Sequence, residues 1–458
     1  TPVTCLMGEA RVTEARRLAA QLGVTLQDTP AAAIDTYAAL TAWRRQQALV
    51  GQLPAAWPDH LAPALDTIAA KCRQAATEPH RLDRARVLDW LARLGLRTPP
   101  MATARSLRQA LSQAEELGLP LRLRPLNLFC RAPRQGLALD TAGLRHQYLA
   151  LFSAQQTCRD RSPVRGVLLQ RPLLEAERLP LRLRIYRHPV WRSVLEVVFR
   201  DRQARHCLPL PLGPALLDVW LAHAERRPLA PLRDWLLHLS ALVARIPECH
   251  ELALDEIRLD ADGPWLADAC MRLAPAADAT PYAHLLIHPW PPELQRRVRL
   301  PDGTRLQIRP LRPEDRQHPG RLLERLSPET LRQRFLHPQP RLTPELIARL
   351  AILDLHHELA LVAIPEDADD PVAVARFACQ DDDAEFAILV ADAWQGRGLG
   401  RVLMEALFDA ARWRGCRRLH GLVLADNRRM LAFAERLSFR RTESGEPGIV
   451  RIERRLDR

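Results

Sequence analysis

The chain has 458 residues, too many for one ordinary core, so length alone calls for two or three domains that each bury their own apolar interior. The formal charge is +12, yet among 66 basic residues only Lys71 is a lysine, and the abundance of Arg, Ala, Leu and Pro fits the codon bias of a GC-rich genome. No uncharged apolar run of about 20 residues and no basic-then-apolar leader occurs, which argues against a membrane span or signal peptide and for a cytoplasmic protein. No arginine cluster is interleaved with stacking aromatics, which argues against nucleic acid as the main partner.

The chain opens at Thr1 without methionine, as a fragment or processed product would. Residues 1 to about 54 read as strand, helix, short strand and helix: "VTCLM", Ala10 to Leu22, "VTLQ" and "AAAIDTYAALTAWRRQQALV". This is the last part of an α/β layer. The Pro-rich "LPAAWPDHLAPA" that follows reads as a linker. An α+β region runs from about 80 to 280, with helices expected at 83–95, 104–117, 214–225 and 232–245. The hexamer "LPLRLR" occurs at Leu119–Arg124 and again at Leu179–Arg184. Its alternation predicts half-buried strands with arginines on one face, read as a solvated sheet face or as a cationic cleft wall.

After a second Pro-rich joint, "HPWPPEL", residues 303–458 read as one mixed α/β domain. Strand "RLQIRPL" precedes helices starting near Pro313, Ser327 and Thr343. Strands "LALVAI", "VAVARFAC" and "AEFAILVA" follow, then a helix opening at Gly398, strand "LHGLVLA", a helix from Asn427, and strands near "FRRTES" and "GIVRIERR". The nine cysteines (Cys5, Cys72, Cys130, Cys158, Cys207, Cys249, Cys270, Cys379 and Cys416) form no Cys-x-x-Cys pair and have no His at metal-ligand spacing, so reduced core thiols and no metal site are expected.

The most informative stretch is Gln395-Gly396-Arg397-Gly398-Leu399-Gly400, between a strand and a helix. A dinucleotide fingerprint would need a third glycine where Arg401 stands, and a Walker loop would need a Lys-Ser/Thr pair that is missing. Glycines here free consecutive backbone N–H groups for an anion at a helix N-terminus, with Arg397 and Arg401 as counter-charges. A Gly-rich turn that merely starts a helix is the plainer alternative.

These six residues and the order of elements around them resemble the Q/R-x-x-G-x-G/A signature of the GNAT acyltransferases, whose amides hold the pyrophosphate of coenzyme A. The stretches "LSPETLRQRFLHPQPRLTPELIARLAILDLHHELALVAI" and Asp383 to Phe439 further resemble bacterial protein lysine acetyltransferases that join a GNAT domain to an NDP-forming acyl-CoA synthetase-like region. "CLMGEARVTEARRLAAQLGVTLQDTPAAAIDTYAALTAWRRQ" is similar to the last subdomain of that region's CoA-ligase part. The resemblance implies an α/β multidomain protein: a partial flavodoxin-like CoA-ligase subdomain over 1–54, a degenerate ATP-grasp-like α+β domain over 80–280, and a C-terminal GNAT fold. Against that family the chain reads as N-terminally truncated, lacking a CoA-binding Rossmann-like domain and most of the ligase domain.

Acetyl transfer to lysine needs a neutral amine, and free lysine, with a pKa near ~10.4, is protonated at neutral pH. A general base must therefore act. Glu385 lies in the apolar strand "AEFAILV", eleven residues before Gly396, where desolvation would raise its pKa. By pattern alone an isolated strand glutamate reads as solvated; the resemblance assigns it the role of base. Backbone N–H groups around Leu389 and Val390 are the expected oxyanion donors, and Asn427 either caps its helix or bonds the pantetheine. The four tyrosines (Tyr37, Tyr148, Tyr186 and Tyr282) lie outside the GNAT region, Phe433 standing where a leaving-group acid might be sought. Ser438 stands where the family usually has glycine.

In the middle region the resemblance matches a nucleotide-site lysine to Arg124, a Gly-rich loop to "FCRAPRQGL" with Gly136, a "GEGG" stretch to "VVFRDRQA", and a metal-binding "LDINPL" to "LDEIRL", which keeps Asp255 but has Ile257. These losses imply a non-catalytic domain. The function expected is acetyl-CoA-dependent Nε-acetylation of a protein lysine with Glu385 as base, acetyl-CoA synthetase being the client the family suggests. The alternatives are a small-amine acetyltransferase, a non-catalytic acyl-CoA or nucleotide sensor, and an ADP-forming acyl-CoA synthetase.

Overall fold

The computed structural model describes residues 3–7, 12–50, 59–127, 137–153, 164–201, 204–222, 229–277, 280–312, 315, 318–337, 343, 346, 350 and 353–456. The chain divides into Thr1–Leu53 and Pro54–Arg458. In the first unit, β1 (Val3–Cys5) and β2 (Thr25–Gln27) pair in parallel, and α1 (Thr13–Gln21) and α2 (Pro30–Val50) follow them in turn.

The second unit opens with α3 (Ala62–Ala75), whose first residues belong to the Pro-rich stretch that reads as a linker. Pro63 sits in its first turn, where a missing N–H costs nothing, and Leu65, Ile68, Ala69 and Cys72 face the core. The α+β region continues with β3 (His80–Arg81), α4 (Arg84–Arg93), β4 (Met101–Ala104), α5 (Leu107–Leu117), β5 (Leu121–Pro125), β6 (Leu137–Ala138), α6 (Thr141–Ser153) and β7 (Val167–Gln170). Then come β8 (Glu177–Arg178), β9 (Leu181–His188), β10 (Arg192–Phe199), β11 (Arg205–Pro209), α7 (Pro214–Leu221), α8 (Arg233–Arg245), β12 (Cys249–Asp260) and β13 (Gly263–Leu273). One sheet runs β11-β10-β9-β12-β13-β3 with β8 against β12; a smaller one runs β4-β7-β5-β6. The loop around Gly136 lies outside the described residues, as do Cys130 and Cys158.

Both "LPLRLR" hexamers enter strands, β5 and β9; the β9 arginines lie on a half-exposed face as the alternation predicts, whereas those of β5 do not. Arg124 is 1% exposed and bonds Glu256 and Asp268, the latter at 2.9 Å. Asp268 also accepts from Arg84 Nε at 2.6 Å, and Glu256 from Arg122 at 2.8 Å. On β9, Arg184 pairs with Glu251 at 2.9 Å and Arg182 with Asp255 at 2.7 Å. The arginine faces are neutralised by carboxylates of β12 and β13, about 60 to 140 residues further along the chain, where local periodicity cannot see them.

The last region comprises β14 (Arg296–Arg299), β15 (Arg305–Pro310), α9 (His318–Glu324), α10 (Pro328–Phe335), β16 (Glu358–Pro365), β17 (Ala373–Gln380), β18 (Asp383–Val390), α11 (Leu399–Arg414), β19 (Arg418–Leu424), α12 (Arg428–Arg436), β20 (Arg440–Glu443) and β21 (Ile449–Arg455). The helix expected near Pro313 is described from His318, and most of the one near Thr343 lies outside the described residues. The eight strands form one sheet, β14-β15-β16-β17-β18-β19-β21-β20. The charged edge strand β14 escaped sequence reading.

All pairings in this sheet are antiparallel except β18 with β19, which pair in parallel only over Asp383–Glu385 and Arg418–His420. Beyond that point the two strands part. Phe386 acts as the wedge: a Cβ on Gly421 would lie 2.8 Å from its ring, so only glycine fits on the facing strand. Phe386 in turn stacks on Phe439 with centroids 5.1 Å apart. Ser438 takes φ +61°, a left-handed backbone that glycine adopts without strain.

The expectation of reduced thiols throughout is corrected at one place. Cys379, near the end of β17, and Cys416, just past α11, form a disulfide. Cys72, Cys249 and Cys270 do behave as core thiols, each pushed up to about 12 chiefly by burial. Among the described residues, no helix is long and apolar enough to cross a membrane, and no cluster of three His, Cys, Asp or Glu could hold a metal ion.

Candidate active site

Where β18 and β19 diverge, a cleft of about 490 Å³ opens. Its walls include Glu385 through Val390 on one strand and Gly421 to Val423 on the other, and its floor is the glycine loop with Gln395, Gly396, Gly398 and Gly400. The sequence-selected residues Glu385, Leu389, Val390, Gln395, Gly396, Gly398, Gly400, Arg401 and Asn427 therefore meet at one place.

The loop is built for close approach. Gly396 and Gly398 take φ +79° and +88°, and Gly398 stands as the N-cap of α11 without a side-chain cap. Among the described residues no backbone carbonyl accepts from the N–H groups of residues 396 to 400. The helix start thus offers a row of unpaired donors and the positive end of its dipole. At Gly400 an added Cβ would meet Phe433 at 3.5 Å, an ordinary contact, so packing against α12 does not itself demand the third glycine.

Polar side chains brace this loop. Asp392 accepts from Ser327 N and Thr330 Oγ1, both at 2.6 Å, tying the start of α10 to the loop. Gln395 donates to Val390 O and Asp392 Oδ1, each at 3.1 Å, and accepts from Arg429 Nη1 at 2.7 Å. Its amide is fully used inside the protein.

The two arginines expected as counter-charges are already paired within the protein. Arg397 donates to Asp302 Oδ2 and Thr304 Oγ1 at 2.8 and 2.9 Å and lies over the Trp394 ring, so its charge is already answered. Leu399 is a fully buried first residue of α11 and contributes its backbone rather than its side chain. Arg401 pairs with Glu405 at 3.0 Å one turn along its helix. Sequence reading missed Arg429 and Arg436, which supply positive charge to the cleft wall from α12. Asn427 Oδ1 accepts from Met430 N at 3.0 Å, which makes it the cap of α12.

Glu385 is exposed to the cleft rather than sealed among apolar side chains, so burial is not how it would be activated. Its strand-register neighbour on β19 is His420, also missed from sequence. Burial pushes the His420 imidazole down, with Arg451 acting the same way and Glu385 opposing; its Nδ1 has no hydrogen-bond partner among the described residues. A carboxylate and a neutral imidazole thus stand together at the point where the strands part.

The donor set suits a long anionic ligand with an apolar arm: unpaired amides at a helix N-terminus, arginines at the rim, and a wall of Phe386, Ile388, Met430 and Phe433. Coenzyme A, with its pyrophosphate and pantetheine arm, has that chemistry.

Comparisons with known proteins agree with this geometry. The model of the acetyltransferase (GNAT) family matches residues 323–439. An acetyltransferase of Pseudomonas aeruginosa is 38% identical over 135 residues, which cover 29% of this chain and 73% of that protein. Acetyltransferase Pat of Mycolicibacterium smegmatis is 32% identical over 143 residues, covering 31% of this chain and 43% of that protein. Among solved structures, the GNAT domain of S. lividans PAT is 30% identical and matches with a TM-score of 0.35, covering 36% of this chain and 99% of that one. The chain spans less than half of the mycobacterial relative. With the family model lying over the cleft and the Pseudomonas relative covered across most of its length, the chain belongs to the GNAT family of acetyltransferases and uses acetyl-CoA.

Proposed function

We propose that the chain transfers the acetyl group of acetyl-CoA directly to the Nε amine of a lysine on a protein substrate, with Glu385 as general base. One observation carries this reading: the cleft has phosphate-type donors at one end of β18 and an exposed carboxylate at the other, on the same strand. Bound acetyl-CoA supplies the activated thioester. The amides of residues 396 to 400 would hold its pyrophosphate, with Arg429 and Arg436 as counter-charges. Glu385 takes the lysine proton, directly or through a water, so that the amine attacks the carbonyl carbon. On the side of β18 that β19 leaves, a backbone N–H near Leu389 and Val390 would serve the developing oxyanion. Phe433 carries no proton, so the thiolate leaves as such, a modest cost for a thiol with pKa near ~8.5.

Domain limits of 1–54, 80–280 and 303–458 belong to this reading. The middle domain is taken as ATP-grasp-like and non-catalytic. In support, Arg124 and Asp255, the residues matched to a phosphate lysine and a metal ligand, are bound by internal ion pairs. The Pat relative makes a protein client the first to try, and acetyl-CoA synthetase is the one we name.

The test incubates the full chain with labelled acetyl-CoA and acetyl-CoA synthetase and maps the label by mass spectrometry. Label on defined lysines supports the proposal. Label that appears only on added small amines would replace the protein client with a small one, and none on either would remove the transferase reading of Glu385.

A further inference from the structure

Beside the cleft lies a second cavity of about 40 Å³, walled by Leu322, Leu323, Phe335, Val362 and Val374 between α9, α10 and the sheet. Ala387, Leu389 and Arg334 line both spaces, so the smaller opens next to the strand that carries Glu385. That volume accommodates roughly three water-sized groups, the bulk of a carboxylate.

Two cations intrude on this otherwise apolar wall. Arg376 is answered by Glu358 at 2.9 Å. Arg334 is not: among the described residues it makes no hydrogen bond and no ion pair, and its guanidinium meets only the Phe335 ring at 5.2 Å. Burial pushes this guanidinium down to about 10, Arg376 adds to the effect, and Glu385 opposes it. A half-buried charge with no carboxylate in hydrogen-bond or ion-pair contact is costly to keep in an apolar wall. A ligand anion would remove that cost, and the planar guanidinium fork matches both oxygens of a carboxylate as a lysine could not.

We propose that Arg334 receives a carboxylate carried beside the transferred acyl group. The two sources with this chemistry are the far end of a dicarboxylic acyl donor and an acidic residue next to the acceptor lysine. The inference rests on reading the cleft as the site of transfer to lysine. Arg334 would set specificity and make no covalent bond.

The test measures kcat/KM of the full chain, R334Q and R334K with acetyl-CoA and succinyl-CoA, on lysine peptides bearing glutamate or glutamine beside the lysine. Calorimetry with both donors is run alongside, and melting temperature controls for folding. In one arm, the parent should favour the carboxylate-bearing substrate by roughly tenfold, as one charge-assisted contact allows. R334Q should lose at least about fivefold more with that substrate than with its neutral counterpart, and R334K should recover part. Response to donor or to peptide identifies the source. No preference in either arm, or an equal loss with every substrate, overturns the proposal. If the parent turns over no peptide, it is the lysine reading that fails. Donor binding then decides, and a succinyl-CoA affinity indifferent to R334Q overturns the proposal on its own.

Discussion

At the scale of single residues, what mattered at the cleft divides into backbone geometry and side-chain partners. The glycines were legible because a run of three between strand and helix has few physical uses, and Glu385 because a charge in an apolar strand stands out. Arg397 misled for the opposite reason: nearness in sequence to the loop suggested a counter-charge, whereas Asp302, 95 residues away, takes it. Arg334, Arg429 and His420 carry no local signal, since their surroundings come from other elements. Gly421 shows how tight the wedge is. Gly421→Ala would drive a methyl to 2.8 Å from the Phe386 ring. We expect about 1–3 kcal/mol of destabilisation in urea unfolding from the overpacking, together with a raised KM for acetyl-CoA as the strands shift. Unchanged stability and KM would mean that Phe386 moves aside freely.

At the scale of elements, hydrophobic period and turn chemistry located most helices and strands, because amphipathic faces are a local property. They failed where two opposing signals met. The proline of α3 marks a helix start but resembles linker composition, and the charged β14 hides an edge strand. They also failed where strands answer one another across the sheet. The arginines of β5 look like a cationic surface until the carboxylates of β12 and β13 are laid beside them. Burial pushes the Glu256 carboxyl up, but Arg124 and Arg122 more than offset this and hold it at about 2. Removing one partner of such a buried cluster leaves the others uncompensated. Arg124→Gln should therefore destabilise the middle region by about 3–5 kcal/mol, read by chemical unfolding. A loss below about 1 kcal/mol would show that the neighbouring arginines suffice.

At the scale of the second unit, residues 280–295 link the middle region to the acetyltransferase domain through a buried aromatic cluster. His288, 3% exposed, contacts Tyr282 at 5.0 Å, His356 at 5.3 Å and Trp413 of α11 at 6.0 Å. Its Nδ1 bonds Pro289 O at 2.6 Å. Burial pushes its imidazole down to about 3, with Arg414 and His356 acting the same way and Pro289 O and Asp354 opposing. His284 is likewise at about 3, again chiefly through burial. Because the unfolded imidazoles titrate near ~6.5, the unfolded state binds protons that the folded state refuses between that value and about 3. Stability is full above the upper value and falls on acidification through the window, by up to about 1.4 kcal/mol per pH unit for His288. Unfolding at pH 7 and pH 5 should show this loss, and His288→Phe should lessen it. A pH-independent midpoint would contradict the buried, neutral state of the cluster.

The account stands or falls on Glu385 as the group that takes the amine proton, and the most direct measurement is single-turnover acetyl transfer by the parent and Glu385→Gln, with acetyl-CoA affinity determined in parallel. We predict that the variant binds acetyl-CoA as tightly as the parent but transfers about 10²–10⁴-fold more slowly, the usual contribution of a positioned base. Transfer at the parent's rate would contradict the assignment and pass the role to His420 or to solvent.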